Sequence, residues 1–141
     1  MMRYITMDDM TTVIQNRLLL ESVEKDTELL ESIEDMAIGE AAAYMGGRYD
    51  TGKIFSETPV RTGILVRVIA CMVVARSVRR NAARKVPDSL QELEDWAMSI
   101  LVKIRDGIMP LPPEIPPLTD EDGKPDTPLL YGHTRNEGWY L

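Results

Sequence analysis

The fold is decided by residues 58–107, TPVRTGILVRVIACMVVARSVRRNAARKVPDSLQELEDWAMSILVKIRDG. In this stretch Thr58–Pro59 supplies a helix N-cap followed by a proline, which is well tolerated at the first helical position. Apolar residues then recur at the spacing of an amphipathic helix. Val86–Pro87 should end this helix, because a proline disfavours helical geometry in the residue before it. We therefore predict a long helix that begins at Thr58–Pro59 and ends at Val86.

A second long helix follows almost directly. Ser89 and Glu92 form a capping box, in which the side chains at the two positions bond to backbone N–H groups at a helix start. Gly107 lies where the end of this helix needs a residue that accepts a left-handed backbone. Because the connection between the two helices is very short, we predict that they pack as an antiparallel hairpin.

Two further helices are predicted in the first half of the chain. Thr6 and Asp9 resemble a capping box, and the apolar spacing after them predicts a helix over about Met7–Leu20. A second helix begins near residues 26–27 and should end at Gly46–Gly47, where a left-handed cap is favoured by glycine. This helix is predicted to cover the hairpin.

These patterns together predict an all-α fold, a small bundle of about four helices. Residues 48–57 show no periodicity and are predicted to form a loop. The composition agrees, since 44% of the residues are hydrophobic but only 6% are aromatic, which favours helices over a sheet. The longest apolar run, Val68–Ala75, is too short to span a bilayer, so we expect a soluble protein that makes no membrane contact. Its single cysteine, Cys71, cannot form an intramolecular disulfide, which fits synthesis in a reducing cytoplasm.

The composition changes after Gly107. Seven of the nine prolines lie beyond this residue, five of them in residues 109–118, MPLPPEIPPL. Because prolines lack a backbone N–H, this density excludes a helix or a central strand, and it predicts an extended spacer close to polyproline II. We therefore divide the chain into a helical domain over residues 1–107 and an extended Pro-rich C-terminal arm over residues 108–141.

The end of this arm carries six apolar side chains that cannot form a core among themselves at their spacing. We predict that they are protein-interface residues, which dock on a partner or on a neighbouring copy of the chain. They are Leu129, Leu130, Tyr131, Trp139, Tyr140 and Leu141.

The formal net charge of −7 hides a partition along the chain. Residues 1–58 and 87–141 each carry a net charge of −7, whereas residues 59–86 contain seven basic residues and no acidic ones. A basic patch lies at the end of this middle stretch: Arg76, Arg79, Arg80, Arg84 and Lys85. Pairing with acidic residues, within the fold or between subunits, is the favoured interpretation. Contact with DNA is the alternative.

No pattern in the sequence points to catalysis, a cofactor or a metal site. His133 is the only histidine and has no second ligand near it, and Cys71 has the neighbours of a buried hydrophobic residue. The Asp120, Asp122 and Gly123 spacing begins like a calcium loop but breaks at Lys124. We therefore predict a protein that is not an enzyme, with no catalytic, cofactor-binding or metal-binding residues.

Several segments resemble the head-tail adaptor proteins of Mu-like and related phages. Residues Tyr4–Met10, YITMDDM, resemble the Tyr-x-Thr-x-x-Asp-hydrophobic start of that family, and Ala41–Asp50, AAAYMGGRYD, is similar to its Tyr-Leu-x-Gly-Arg-Tyr segment. Val86–Pro87 and Trp96–Pro110 resemble the closing part of the same domain, so the resemblance covers about residues 3–112. Its most specific piece consists of Gly46, Gly47, Arg48 and Tyr49.

The resemblance implies a structural virion protein. Such a subunit forms a homo-oligomeric ring, typically a dodecamer, at the head-tail junction, where it bridges the portal protein to a stopper or tail-completion protein. DNA passes through the channel of the ring without sequence-specific binding. Sequence alone leaves one competing function open, a helical DNA-binding regulator that uses the basic third helix.

Overall fold

The computed structural model describes residues 4–14, 27–80 and 88–118. Within these ranges the chain forms five helices and no strand, so the predicted all-α bundle is confirmed. The helices are α1 (Met7–Thr11), α2 (Thr27–Met45), α3 (Thr51–Ile54), α4 (Gly63–Arg80) and α5 (Asp88–Arg105). None of the helices in the described ranges is long and apolar enough to cross a membrane.

The core is built on the predicted hairpin of α4 and α5, which make the most extensive contact between any two helices described. Arg79 near the end of α4 bonds to Gln91 near the start of α5, as antiparallel packing requires. All eight residues of Val68–Ala75 are buried, because α2 and α5 both pack against this part of α4. The predicted covering role of α2 is thus confirmed.

Helix α2 has the bounds that its sequence predicts, but its end differs. Neither Gly46 nor Gly47 adopts a left-handed backbone, and among the glycines in the described ranges only Gly107 has a positive φ. Instead, the Met45 carbonyl accepts hydrogen bonds from both Arg48 N–H and Tyr49 N–H, each at 3.0 Å. The predicted left-handed cap is therefore wrong, because a continued tight turn already satisfies this carbonyl.

Helix α1 is shorter than the predicted Met7–Leu20. Its capping box is present, since Thr6 Oγ1 accepts from Asp9 N–H and the Asp9 carboxylate accepts from Thr6 N–H. The helix ends at Thr11, and the hydroxyls of Thr11 and Thr12 donate to carbonyls three residues earlier. Such bonds compete with helix continuation, so the prediction is wrong for the three residues that follow Thr11. The rest of the predicted range lies outside the described residues.

Helix α4 begins at Gly63, and the predicted start at Thr58–Pro59 is wrong. The residues between them belong to no helix, because the N–H and the carbonyl of Val60 both bond to other parts of the fold. Its N–H donates to the Ile54 carbonyl at 3.0 Å, and its carbonyl accepts from the Tyr4 hydroxyl at 2.9 Å. These two tertiary bonds outweigh the local preference of a Thr-Pro start.

The short helix α3 lies in the predicted loop and was missed by the sequence analysis. Asp50 caps it by accepting a hydrogen bond from Lys53 N–H at 3.2 Å. Ile54 and Phe55 at its end are buried in the core. A helix of four residues completes hardly more than one turn, so no apolar period could reveal it.

Helix α5 begins at Asp88, so Ser89 lies within it and the predicted capping box with Ser89 as the N-cap is wrong; the helix ends at Arg105, and Gly107 closes it as predicted. Gly107 has a φ of 78°, and its N–H donates to Ile104 O at 3.2 Å while Ile108 N–H donates to Lys103 O at 2.9 Å. This pair of bonds is the Schellman arrangement that favours glycine. The predicted end of the preceding helix at Val86 lies outside the described residues.

The N-terminal segment is held by a buried carboxylate. Glu34 of α2 is 1% exposed, and its Oε1 accepts hydrogen bonds from the N–H groups of Tyr4 and Ile5. The Tyr4 ring packs edge-on against Phe55 with ring centroids 5.0 Å apart. Asp9 forms an ion pair with Arg61. The start of the chain is therefore fixed to α2 and to the segment that precedes α4.

The start of the C-terminal arm also returns to the helices. Residues 108–118, which we call the strap, place Leu111 and Ile115 in the same hydrophobic core as the helices. Ile115 is only 2% exposed. The prediction that this part of the arm is a spacer is therefore wrong, and the core extends beyond the boundary predicted at residue 107. The prolines exclude a helix, as expected, but they leave the two side chains between them available for packing.

Candidate functional site

The four residues of the family-like motif occupy the turn between α2 and α3. A Cβ on Gly46 would lie 3.0 Å from the Ala42 carbonyl oxygen, which already accepts the Gly46 N–H. Glycine at this position therefore lets the chain turn closely around the end of α2. After the two glycines come Arg48, Tyr49 and Asp50. We call these three residues the clasp, because each bonds to another part of the chain.

Arg48 joins the end of α2 to the end of α5. Its Nε donates to the Arg105 carbonyl at 2.9 Å, which satisfies one of the carbonyls left open at a helix C-terminus. A positive charge at this place also interacts favourably with the helix dipole. A Cβ on Gly107 would lie 2.7 Å from a guanidinium nitrogen of Arg48, so a side chain there would displace the guanidinium, and the positive φ separately favours glycine.

Tyr49 and Asp50 bind the strap. The Tyr49 hydroxyl accepts a hydrogen bond from Leu111 N–H at 2.9 Å, and Tyr49 forms an antiparallel bridge with Pro117. On either side of the bridge, Asp50 N–H donates to Pro116 O at 3.0 Å and Leu118 N–H donates to Arg48 O at 3.1 Å. The motif residues therefore act within one chain, where they join α2, α5 and the strap.

The basic patch is largely neutralised where the structure describes it. Arg76 forms an ion pair with Glu40 of α2, and Arg79 forms one with Glu94 of α5 at 2.9 Å. Arg79 also donates to the Gln91 side chain at 3.0 Å. Pairing with acidic residues, the favoured interpretation of this patch, is confirmed for these two arginines, and the pairing lies within the chain.

Glu94 is the central acceptor of this ion-pair network. Its side chain is 12% exposed, and its Oε2 has no hydrogen-bond partner among the residues that the structure describes, although Arg76 Nε lies 3.9 Å away. The two arginines thus share one carboxylate at the junction of α2, α4 and α5. Sequence reasoning missed Glu94, but a signal existed, since it lies three residues before Ala97 on the buried side of α5.

The structure gives less information on the other residues of the basic patch and on the predicted interface of the arm. Arg80 is exposed at the end of α4. Arg84 and Lys85 lie outside the described residues, as do all six apolar residues of the arm and His133. These predictions stay predictions. A further residue that sequence reasoning missed is Glu34, whose signal was its position within the apolar stripe of α2.

The described ranges contain no group of three or more His, Cys, Asp or Glu side chains that could hold a metal ion. Cys71 is buried in α4, and this burial raises the pKa of its thiol, although nearby Arg67 opposes the change. A higher pKa leaves less thiolate at neutral pH, so this cysteine is a poor nucleophile.

The exposed face of α2 is acidic and has an apolar centre. Glu28, Asp35 and Glu40 are exposed along it, and Met36 between them is 70% exposed. Exposure of a single methionine is ordinary for a protein surface. One of these carboxylates, Glu40, is paired with Arg76, which reduces the net negative charge of the face.

Comparison of the chain with protein-family models, with curated proteins and with solved structures gave no match in any of the three.

Proposed function

We propose that this chain is a structural subunit of the head-tail connector of a tailed bacteriophage. In this proposal it is made in the host cytoplasm and is incorporated at the virion neck as a homo-oligomeric ring, typically of twelve copies. The ring lies between the portal protein and a stopper or tail-completion protein, and it extends the channel through which DNA passes.

The observation that carries the proposal is the role of the Gly46–Tyr49 motif. This segment has the most specific resemblance to the adaptor family, and in this chain it forms the joint between α2, α5 and the strap. Residues that join several elements of a fold are needed by every chain that adopts the same fold. The resemblance therefore concerns residues with a physical role and not only a pattern of letters.

The surface charge also supports the proposal. The chain has a net charge of −7, and the exposed face of α2 is acidic. A ring whose inner surface is acidic lets DNA slide without sticking, because phosphates are repelled instead of bound. This argument favours a channel over a DNA-binding surface.

The alternative, a DNA-binding regulator, loses support from the ion pairs of α4. Arg76 and Arg79 already face Glu40 and Glu94, so contact with phosphates would have to break these pairs. Gel shifts across a series of salt concentrations test this directly. A regulator predicts tight binding that weakens steeply with salt, whereas the connector proposal predicts only weak binding without sequence preference.

The experiment that tests the connector proposal is native mass spectrometry of the full chain, alone and mixed with the portal protein of the same phage. The expected result is a ring, on its own or assembled on the portal. A chain that stays monomeric and does not bind the portal would contradict the proposal.

A matched pair of truncations tests the role of the arm. Removal of residues 119–141 keeps the strap, so we expect the helical circular dichroism to persist while assembly weakens. Truncation after Pro113 also removes Ile115 and the bridge at Pro117, so it should lower the stability of the domain as well. If the shorter removal leaves ring formation and portal binding unchanged, the arm does not contribute to assembly.

A further inference from the structure

We propose that neighbouring subunits exchange straps: residues 108–118 of one copy leave their own clasp and occupy the clasp of a second copy. This inference rests on the proposed function, because it names the contact through which copies in the ring would hold one another. It adds a binding site, the clasp with its groove, and a defined occupant, the strap of an identical chain.

The occupant follows from what the groove already holds. The clasp binds the strap through one side-chain acceptor, the Tyr49 hydroxyl, and through backbone bonds at Arg48 and Asp50. Leu111 and Ile115 fill the apolar part of the groove. Every copy of the chain carries both the groove and the segment that fits it. Exchange therefore reproduces the same contacts between chains without any new complementarity, which is the basis of domain swapping.

The strap is attached by few contacts compared with the helices. In the described part of the chain, two of its side chains are buried, Met109 is partly buried against the core, and three hydrogen bonds join it to the clasp. By contrast, α4 buries eleven of its residues. A segment held by so few contacts opens locally while the remaining core stays folded.

The connection between α5 and the strap has the character of a hinge. The residues Asp106–Ile108 and Pro110 are exposed, and Ile108 is 70% exposed although it is a large apolar residue. Arg48 fixes the position of Gly107 from the other side. Met109 N–H also donates to Lys103 O at 3.2 Å, so a change of backbone direction after Met109 moves Leu111 and Ile115 without breaking the bonds at the end of α5. An exposed isoleucine at this place is available for contact with a neighbouring copy.

The prolines suit the strap to exchange. In its own clasp the strap contains a turn, in which Ile115 N–H donates to Pro112 O at 3.0 Å; with this turn opened, the segment spans about 30 Å at roughly 3.1 Å per residue, comparable to the width of a small domain. Its stiffness lowers the entropy lost when the strap docks again. Pro117 has no N–H to offer on the outer edge, which disfavours pairing with a further strand. Each strap is therefore restricted to one clasp.

The test uses disulfide formation between Tyr49 and Pro117, which face each other in the bridge. The full chain is prepared with Cys71→Ala, and one variant then receives Tyr49→Cys while another receives Pro117→Cys. Opposed residues of an antiparallel bridge have a Cα separation that a disulfide accepts. In a mixture of the two variants, a disulfide between positions 49 and 117 can form only between two chains.

Two controls accompany the mixture. A double variant with both substitutions in one chain shows that the pair can be oxidised and that the clasp still forms without the Tyr49 hydroxyl. A mixture of Met36→Cys with Pro117→Cys measures cross-linking by random collision, since Met36 is exposed on α2. Products are identified by non-reducing electrophoresis and peptide mass spectrometry, and ring formation is measured separately by native mass spectrometry.

We expect interchain linkage between positions 49 and 117 at roughly tenfold the level of the collision control, because docking raises the effective concentration of the pair to the millimolar range. Rings that form with interchain linkage no higher than the control would overturn strap exchange and leave the connector proposal intact. Interchain linkage without rings would support exchange and count against the connector. Absence of both would overturn the two together.

Discussion

The three-helix core and the strap are stabilised in different ways. In α4, the run Val68–Ala75 is buried without interruption between α2 and α5, so its stability is spread over many side-chain contacts. The strap has two buried side chains, and its position depends on individual bonds to the clasp. The N-terminal segment is intermediate, since it combines buried residues with the bonds that Glu34 accepts. The core thus depends on packing in general, whereas the two outer segments depend on particular polar groups.

The largest effect is expected in the core. Leu101→Ala removes a fully buried side chain from α5 and leaves a cavity. We expect it to lower the free energy of unfolding by about 3 kcal/mol, within the range measured for such substitutions. Urea denaturation followed by circular dichroism measures this change. Met36→Ala on the exposed face of α2 is the control and should change stability by less than about 0.5 kcal/mol. Equal effects of the two substitutions would contradict the position of the core.

The N-terminal segment should show its contribution at high pH. Burial raises the pKa of Tyr4 to about 12, against the opposing effects of the Thr62 backbone and Arg61. In the unfolded chain the hydroxyl loses its proton near pH 10, while in the folded chain it keeps it until about pH 12. The part of the free energy of unfolding that depends on a neutral Tyr4 hydroxyl is therefore fully present below pH 10. It falls by about 2 to 3 kcal/mol as the pH rises through 12.

The measurement is the pH dependence of stability in the wild type and in Tyr4→Phe, which cannot ionise. We expect the wild type to have the higher free energy of unfolding at neutral pH, and this difference to shrink and then reverse as the pH rises from 10 to 12. At neutral pH, Tyr4→Phe should cost about 1 kcal/mol, because the hydrogen bond to the Val60 carbonyl is lost. Parallel pH profiles of the two proteins would show that the Tyr4 hydroxyl is not buried.

A smaller loss of stability is expected when one bond between the clasp and the strap is removed. Tyr49→Phe removes only the hydroxyl that accepts from Leu111 N–H, which leaves this N–H without its partner. We expect a loss of about 1 kcal/mol. Hydrogen exchange should become faster at Leu111 and Leu118, while amides in the middle of α4 keep their protection. Uniformly faster exchange would mean that the strap does not open separately from the core.

The smallest effect is expected at the basic patch. Arg79→Ala breaks a partly exposed ion pair with Glu94 and should cost about 0.5 to 1 kcal/mol, with a dependence on salt. Arg80→Ala, on the next residue, is the matched control and should have almost no effect on stability. Thermal unfolding at low and high salt distinguishes the two. A larger loss for Arg80→Ala would contradict the assignment of the ion pairs.

The contrast between the packed core and the individually bonded outer segments also explains which features the sequence could predict. The apolar period of α2 and α5, together with Gly107, gave the bundle and the end of its last helix correctly, because helical packing repeats every turn. The predicted start of the third helix at Thr58–Pro59 failed, because Tyr4 from the start of the chain and Ile54 at the end of α3 both bind the backbone of Val60. Local preference carries no information about such partners.

The candidate site shows the same division. The sequence drew attention to Gly46 and Gly47 as a helix end but to Arg48 and Tyr49 only through a resemblance, which left open whether those two act within or between subunits. Their partners Arg105 and Leu111 lie more than fifty residues away, so no spacing rule connects them. The strap was predicted to be a spacer because proline density was given more weight than Leu111 and Ile115. Two apolar side chains among prolines are enough to dock a segment when a groove is present.

The connector proposal is tested most directly by a cryo-electron microscopy reconstruction of the neck of particles made by the phage that encodes this chain. The proposal predicts a ring of copies directly beneath the portal, in which each α2–α4–α5 core is recognisable and the arm contacts a neighbouring molecule. A neck in which no density fits this core, or particles that lack the chain altogether, would contradict it.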